Sequence, residues 1–283
     1  MKVLVTGARG MLGTDVCEVL SQKHDVTGVD IEEAEISSLP ETRALVKRVS
    51  PDAVIHCAAY TDVDGSETEA VHAFLVNAEG TRNVAVACEG IGAVLLYVST
   101  DYVFDGRSER PYTETDAPAP LSVYGSSKLE GERHVQSLTS NHFIVRTSWL
   151  FGLHGRNFVD TIVDLGQDRD SIEVVDDQVG CPTFSRDLSV ALASIIESES
   201  YGTYHVCNSG SVSWCGFAEE ILRLWGNTRT RVVPVKTERL NRPAARPAFS
   251  VLDTSLFETT FGSSLRSWRE ALAEYVKSKK RGN

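Results

Sequence analysis

No stretch of this 283-residue chain approaches the roughly 20 consecutive apolar residues that a membrane-spanning helix requires. Positive charge is also in short supply: 28 Lys and Arg stand against 39 Asp and Glu, a formal net charge of −11. With no basic stripe to offset that balance, the sequence argues against nucleic acid as a partner. Any phosphate must be held by local groups, such as a helix N-terminus or a placed arginine. The only basic run, Lys277 to Arg281, sits at the C-terminal end and reads as a frayed helix end. The six cysteines (17, 57, 88, 181, 207, 215) show no CxxC spacing and read as buried free thiols in a reducing cytoplasm. The seven histidines are dispersed, so no metal ligand is assigned. There is no internal repeat and no low-complexity segment. Met1-Lys2 runs straight into Val3-Leu4-Val5, which reads as a strand and not as a signal peptide.

What is present is a regular alternation. Residues 2–6 are an apolar run, a glycine-rich turn follows, and a helix fits Met11 to Leu20. Val26 to Asp30 reads as a second strand, Ser38 opens a helix to about Val49, and Ala53 to Cys57 is a third strand. A long helix over Thr68 to Cys88, a strand over Ala93 to Val98, a helix around Tyr124 and a strand over Phe143 to Arg146 complete the first half. Short connections and strands that are apolar throughout predict an α/β fold with a doubly wound, Rossmann-type parallel sheet. From about Gly152 the elements shorten. Strands are expected at Ile172–Val175, Thr203–Val206 and Arg231–Val233, and helices at Phe158–Gly166, Arg186–Glu197, Trp214–Trp225 and Leu265–Lys277. The reading is therefore a dinucleotide-binding domain over 1–151 and a smaller C-terminal substrate-binding lobe over 152–283, interleaved with the end of the sheet.

Gly7, Gly10 and Gly13 directly follow the first strand. A tight turn, close backbone approach to a pyrophosphate and close packing of helix on strand all require glycine there. Asp30 ends the second strand, where an acid can accept hydrogen bonds from an adenosine ribose and favour NADH. Arg9, between the glycines, can instead meet a 2′-phosphate and favour NADPH. The two cues conflict, and both cofactors stay open.

Tyr124 and Lys128 lie four residues apart, on one face of a helix. A nearby ammonium favours the tyrosinate and brings a phenol that normally titrates near 10 toward working range. Thr100, at the end of an apolar strand, can supply a further hydrogen bond to the same reacting oxygen. These are the parts needed to reduce a carbonyl with a nicotinamide. A second Tyr-x-x-x-Lys, Tyr275 to Lys279, lacks a preceding strand and a hydroxyl partner and reads as a solvated helix face.

The segments 7–13, His56–Asp64, Asn77-Ala78, Ser99–Gly106, Val123–Lys128 and Arg146–Trp149 together resemble the dTDP-4-dehydrorhamnose reductase family of extended short-chain dehydrogenases/reductases. The resemblance continues through Asp177–Thr183, Ser213–Ala218 and Arg246–Asp253, nearly the whole chain. Gly65 departs from it, since related sequences usually carry lysine there. The resemblance implies NAD(P)H-dependent reduction of the C4 keto group of a nucleotide-linked 6-deoxy-4-keto sugar, dTDP-4-dehydro-β-L-rhamnose giving dTDP-β-L-rhamnose. It implies Thr100, Tyr124 and Lys128 as the catalytic set. Cofactor contacts would come from Gly7, Arg9, Gly10, Met11, Leu12, Gly13, Asp30, Ile31, Ala58, Ala59, Tyr60 and Asn77, with Tyr124 and Lys128. Thr100, Asp101, Tyr102 and Trp149 would meet the sugar, and Asn157 and Arg246 the nucleotide portion. Some members dimerise around magnesium, so a homodimer and a magnesium ion are what the resemblance admits; no ligand set in the sequence supports the metal.

Within the same fold, a 4,6-dehydratase needs a carboxylic pair after the threonine, and Tyr102 stands where its second acid would be. A 4-epimerase uses the same triad with a tightly held NAD and is the alternative enzyme. A non-catalytic regulatory subunit, similar to the β subunit of methionine adenosyltransferase, would need the pocket without the proton donor, which this chain retains.

Overall fold

Wholly apolar strands joined by helices bury both faces of their sheet when the strands run parallel and the crossovers cover each side. The computed structural model, which describes residues 1–282, has that arrangement. β1 (Lys2–Thr6), β2 (Asp25–Val29), β3 (Ala53–His56), β4 (Val94–Thr100), β5 (His142–Thr147) and β6 (Gly202–His205) form one parallel sheet, ordered β6-β5-β4-β3-β1-β2. Side chains alternate between faces as the strand period demands. Val3, Val5, Ile55 and Val145 pack with α1 (Met11–Leu20), whereas Leu4, Val54, Leu95 and Ile144 pack beneath α2 (Leu39–Val49) and α3 (Thr81–Glu89). Strand order reverses between β1 and β3, so the crevice at their C-terminal ends is where an open sheet of this kind takes a ligand.

The long helix expected over Thr68 to Cys88 is broken. Ala70–Phe74 is α-helical, Leu75–Gly80 is a π-helical turn, and α3 resumes at Thr81. Such turns alter the side-chain phase within a helix and are common beside functional sites. α4 (Val123–Leu138) belongs to the first half; beyond it come α5 (Phe158–Asp168), α6 (Ser185–Ile196), α7 (Trp214–Trp225) and α8 (Trp268–Gly282). Leu188 and Leu192 of α6 pack in the same core as α1, and β6 extends the main sheet, so the chain re-enters the first layer after residue 152. α5, α7 and α8 enclose a separate core with Phe151, Phe217 and Trp268, beside a parallel pair formed by Ser171–Val175 and Arg231–Val235. The helix Ser255–Phe261 carried no clear sequence signal.

Two expectations for the C-terminus are corrected. Tyr275 is not on a solvated face: it is fully buried, its hydroxyl donates to Asp160 Oδ1 at 2.6 Å, and it accepts from Asn157 Nδ2 at 3.3 Å. Lys279 pairs with Asp160 at 3.2 Å. Nor does the basic run fray, because Lys280 donates to the carbonyls of Leu224 and Trp225, orphan acceptors at the end of α7. A C-terminal helix with an aromatic stripe docks when another lobe offers it a core.

Between α4 and the sheet lies a buried ion pair. Arg146 of β5 donates from Nε and Nη2 to Glu132 of α4 at 2.9 and 2.6 Å, and Ser99 Oγ donates to the same carboxylate at 2.6 Å. Burial holds His205 neutral, its pKa lowered to about 3, with the Arg146 charge adding to that effect. With Nδ1–H donating to the Tyr112 carbonyl, Nε2 is free to accept from Arg146 at 3.4 Å. Breaking a buried pair from one side leaves an uncompensated charge. Arg146→Met is therefore expected to lower unfolding stability by about 3–5 kcal/mol in denaturant titration. Adding Glu132→Gln to it should recover part of that loss; additive losses would show that the two side chains are not coupled.

Candidate active site

The turn after β1 is shaped by contacts that leave no room for side chains. Gly7 has φ 68°, and a Cβ on it would sit 2.6 Å from the Ala58 backbone nitrogen. A Cβ on Gly13 would sit 2.0 Å from the Gly7 carbonyl oxygen, so any larger residue would push α1 off β1. Gly10 caps α1, whose first turn carries no acidic residue. The positive end of the helix dipole and its free amides thus face the crevice, which fits a dinucleotide pyrophosphate.

At the end of β2 the Asp30 carboxylate accepts from the backbone amides of Arg9 and Ile31 at 3.0 and 2.9 Å. The Arg9 guanidinium is paired with Glu32 and Glu33. Two neighbouring carboxylates thus compensate the cation that the sequence offered to a 2′-phosphate. Ala58, Ala59 and Tyr60 line the crevice, as do Met11, Leu12 and Ile31. Asn77 does not. Its side chain accepts from Tyr60 N at 2.8 Å and donates to Tyr60 O at 3.1 Å and Ser127 Oγ at 3.0 Å. The π-helical turn aims Asn77 inward, where it fixes the cofactor-side backbone and makes no direct contact with the cavity.

The N-terminal turn of α4 is held by Ser122, whose hydroxyl accepts from Gly125 N at 3.1 Å. It brings Tyr124 and Lys128 against the end of β4, in one cavity of about 870 Å³ with the glycine turn, Thr100, Asp101, Tyr102 and Trp149. Lys128 Nζ donates to the Val98 carbonyl at 2.8 Å and lies 4.2 Å from the Tyr97 ring centre. Burial brings its pKa down to about 7, with Glu132 opposing the shift. Burial also pushes the Tyr124 phenol upward, Thr100 working against that rise and the charge of Asp101 adding to it. The expectation that Lys128 acidifies Tyr124 is thus corrected: the ammonium is turned toward a carbonyl, and burial dominates at the phenol. Tyr102 stands edge-on to Tyr124, ring centres 5.6 Å apart.

Asp101 is buried beside them and raised to about 7, first by burial, with hydrogen bonds from Ser250 and Thr100 opposing. Its Oδ2 accepts from Ser250 Oγ at 2.6 Å and its Oδ1 from Thr100 Oγ1 at 3.2 Å. It therefore ties the proline-rich segment of the second half to the end of β4. Arg246 of that segment is bidentate to Asp64, both contacts 2.9 Å, and donates to the Ala244 carbonyl at 3.0 Å. It does not line the cavity as a free phosphate clamp; its guanidinium bridges two loops. Asn157 is corrected outright. It caps α5, accepting from Val159 N and Asp160 N, and donates to the Gly152 carbonyl at 2.9 Å, away from the cavity.

Sequence reasoning assigned no role to Trp214, which lines the cavity and stacks on Trp149 with ring centres 3.5 Å apart. Its signals were its place after Ser213, which marks a helix start, and its membership of the resembling segment Ser213–Ala218; nothing local says which face of α7 turns to the cavity. Asp15, Glu18 and His154 converge closely enough to suggest a cation site. Arg186 already lies 2.8 Å from Glu18 and 3.8 Å from Asp15, and Ser185 bonds Asp15, so these residues do not fit the magnesium ion.

Residues 1–281 match the family described as RmlD substrate binding domain. The chain belongs to this family. It is 43% identical over 278 residues to the dTDP-4-dehydrorhamnose reductase of Streptomyces griseus, a match covering 96% of this chain and 91% of that one. A solved dTDP-4-dehydrorhamnose reductase of Clostridium acetobutylicum superposes with a TM-score of 0.97 at 42% identity, covering 99% and 100% of the two chains. One from Bacillus anthracis, solved in complex with NADP, gives 0.95 at 42% identity, with 98% and 99% covered. The Rossmann-type fold expected from the sequence is thereby shared with solved members of the family.

Two outcomes follow from the site's charges. The native Asp101 carboxyl keeps its proton to about pH 7, whereas the unfolded chain releases it near the model-peptide value of about 3.9. Native protein binds the extra proton in that window, so this group's contribution to stability is full below it and is lost as pH rises to about 7. Asp101→Asn should therefore gain stability relative to the parent between pH 5 and pH 8, read as the difference in Tm. An unchanged difference would place no titrating carboxyl there. At the other end of the cavity, Glu32→Gln/Glu33→Gln should tighten NADPH about 3- to 10-fold, the scale of one recovered charge contact. Its Kd for NADH should stay within about twofold; equal gains with both cofactors would remove Arg9 and its partners from cofactor choice.

Proposed function

We propose that this protein reduces the C4 keto group of a nucleotide-linked 6-deoxy-4-keto sugar with NADPH or NADH, the sugar being dTDP-4-dehydro-β-L-rhamnose. The observation that carries this reading is the convergence of Thr100, Tyr124 and Lys128 in one cavity with the glycine turn. The curated and solved relatives named above, dTDP-4-dehydrorhamnose reductases at 42–43% identity, support the substrate class. Of residues 152–283, Trp214 lines the cavity, beside Trp149.

A reduced nicotinamide bound along the turn supplies the hydride. Tyr124 gives its phenolic proton to the oxygen at C4 as that oxygen becomes an alkoxide, and it regains a proton from solvent. Because burial keeps the phenol protonated, it stands in the form a reduction consumes. Thr100 Oγ1 carries one proton, given to Asp101 Oδ1 in the free protein; turned to the C4 oxygen, it stabilises the charge developing there. Lys128, fixed by the Val98 carbonyl, would use its remaining N–H donors to hold the nicotinamide ribose. Before the sugar binds, Asp101 holds Thr100 through the hydrogen bond between them, and Trp149 walls the sugar side. We further propose a homodimer, for which exposed Val71, Phe74 and Leu75 on adjoining helical turns offer an apolar face, and a cytoplasmic location, where the six free thiols stay reduced. Among the described residues, no helix is long and apolar enough to cross a membrane.

Turnover is read as loss of reduced-nicotinamide absorbance across dTDP-, UDP- and GDP-linked 4-keto sugars, with the product identified. Tyr124→Phe keeps the ring packing and removes the donor, so kcat should fall by at least about 100-fold, the usual scale for general acid catalysis. Its Kd for NADPH should barely change, whereas Lys128→Ala should impair both. Near-normal turnover by Tyr124→Phe would remove the proton-donor assignment.

A further inference from the structure

Trp149 follows β5 in a conformation that bulky residues seldom hold, with φ 47°. Such a backbone persists when its surroundings over-determine it. Three contacts do so here. The Trp149 carbonyl accepts from Thr183 N at 3.2 Å, which fixes the chain on the far side of the turn. Gly180 lies so close that a Cβ on it would sit 2.5–2.8 Å from the indole, so the ring packs directly on main chain. Trp214 covers one indole face, ring centres 3.5 Å apart and planes inclined by 5°.

Trp214 is itself held. Val212-Ser213 pairs antiparallel with Val179-Gly180, which sets Trp214 beside the glycine that supports Trp149. Ser213 caps α7, accepting from Gly216 N at 3.1 Å while donating to Asp176 Oδ1 at 2.6 Å. Phe158 packs on Trp214 with ring centres 4.5 Å apart. A chain of contacts thus runs from the second core, through Phe158 and Trp214, to the indole that lines one cavity with Thr100 and Tyr124.

We propose that Trp214 is a positioning residue for the sugar site: by stacking on Trp149 it holds that indole as a rigid wall of the pocket that a 6-deoxy hexose enters. The inference rests on the reading of the site as one for a nucleotide-linked sugar. A wall already held in place loses no rotamer freedom when sugar binds, so the stack serves substrate affinity more than the chemical step. Trp214 supplies no group to the reacting carbonyl, and cofactor binding at the glycine turn is independent of it.

The test uses the full chain with the nucleotide 4-keto sugar that it turns over. Two stacked indoles whose transition moments are skewed give an exciton couplet in circular dichroism; a couplet from this pair should be lost in both Trp214→Phe and Trp149→Phe. Trp214→Ala should raise KM for the sugar about 3- to 10-fold, the range expected for one aromatic pair. Its kcat and its Kd for NADPH should stay within about twofold. Trp214→Phe, which keeps an aromatic face, should give an intermediate KM with an unchanged Tm. A couplet that survives both Trp→Phe changes, an unchanged sugar KM in Trp214→Ala, or a parallel loss of NADPH affinity would each overturn the proposal. Absence of turnover by the parent on every keto sugar would instead overturn the reading of the site, and the couplet would report on the stack regardless.

Discussion

The buried pair between Glu132 and Arg146 is the constraint on which the site depends. It joins the helix that carries Tyr124 and Lys128 to the strand that delivers Trp149, and Ser99 joins the same carboxylate from the strand that delivers Thr100. Three elements separated in sequence are thereby locked at one end of the sheet. Lys128 lies one turn before Glu132 on the same face, so the ion pair sets the depth at which its ammonium meets the Val98 carbonyl. A hydrophobic contact could hold the helix on the sheet equally well, but it would leave the helix free to slide. The bidentate geometry fixes both distance and rotation.

Around that anchor, burial dominates the titration of the reacting groups. Tyr124 and Asp101 are pushed toward their protonated forms, Lys128 toward its neutral one, and hydrogen bonds from Thr100 and Ser250 only moderate the effect. The excess of acidic residues leaves few cations for anionic ligands, and those near the cavity are already engaged: Arg9 by Glu32 and Glu33, Arg246 by Asp64. Main-chain amides at the start of α1 are therefore the clearest anion site that the fold presents. A backbone site of this kind costs no desolvation of a charged side chain and is indifferent to the protein's net charge.

Much of this was legible in the sequence because it is local. The glycine turn, the strand periods, the serine that starts α2 and the proximity of Tyr124 to Lys128 each follow from a few adjacent residues. What was not legible depends on partners far along the chain. Asn77 and Asn157 carry the same polar amide that a ligand site uses, but one staples the backbone of Tyr60 and the other caps a helix. Arg246 looked like an unpaired cation because Asp64, 182 residues away, is invisible to local reasoning. The π-helical turn at Leu75–Gly80 has no distinctive residue pattern and is explained only by where Asn77 must point. Trp214 likewise acquires meaning only when the pairing of Val212-Ser213 with Val179-Gly180 sets it beside Trp149.

The chain carries one comparison that isolates this point. Tyr124-x-x-x-Lys128 and Tyr275-x-x-x-Lys279 have the same spacing, and desolvation pushes both phenols toward the protonated form, although Tyr124 is only partly buried at the cavity and Tyr275 fully so. Their chemistry differs because their helices pack on different surfaces. The first lies across the C-terminal ends of parallel strands, so its phenol meets a threonine hydroxyl and a cavity, and its lysine meets a strand carbonyl. The second lies on a closed core, where Asp160 accepts the hydroxyl proton and the lysine as well. With its hydrogen bond already donated to a carboxylate, the Tyr275 phenol is not poised to give a proton to anything else. Spacing sets which side chains stand together, and the surface beneath them decides whether the pair does chemistry or holds the fold.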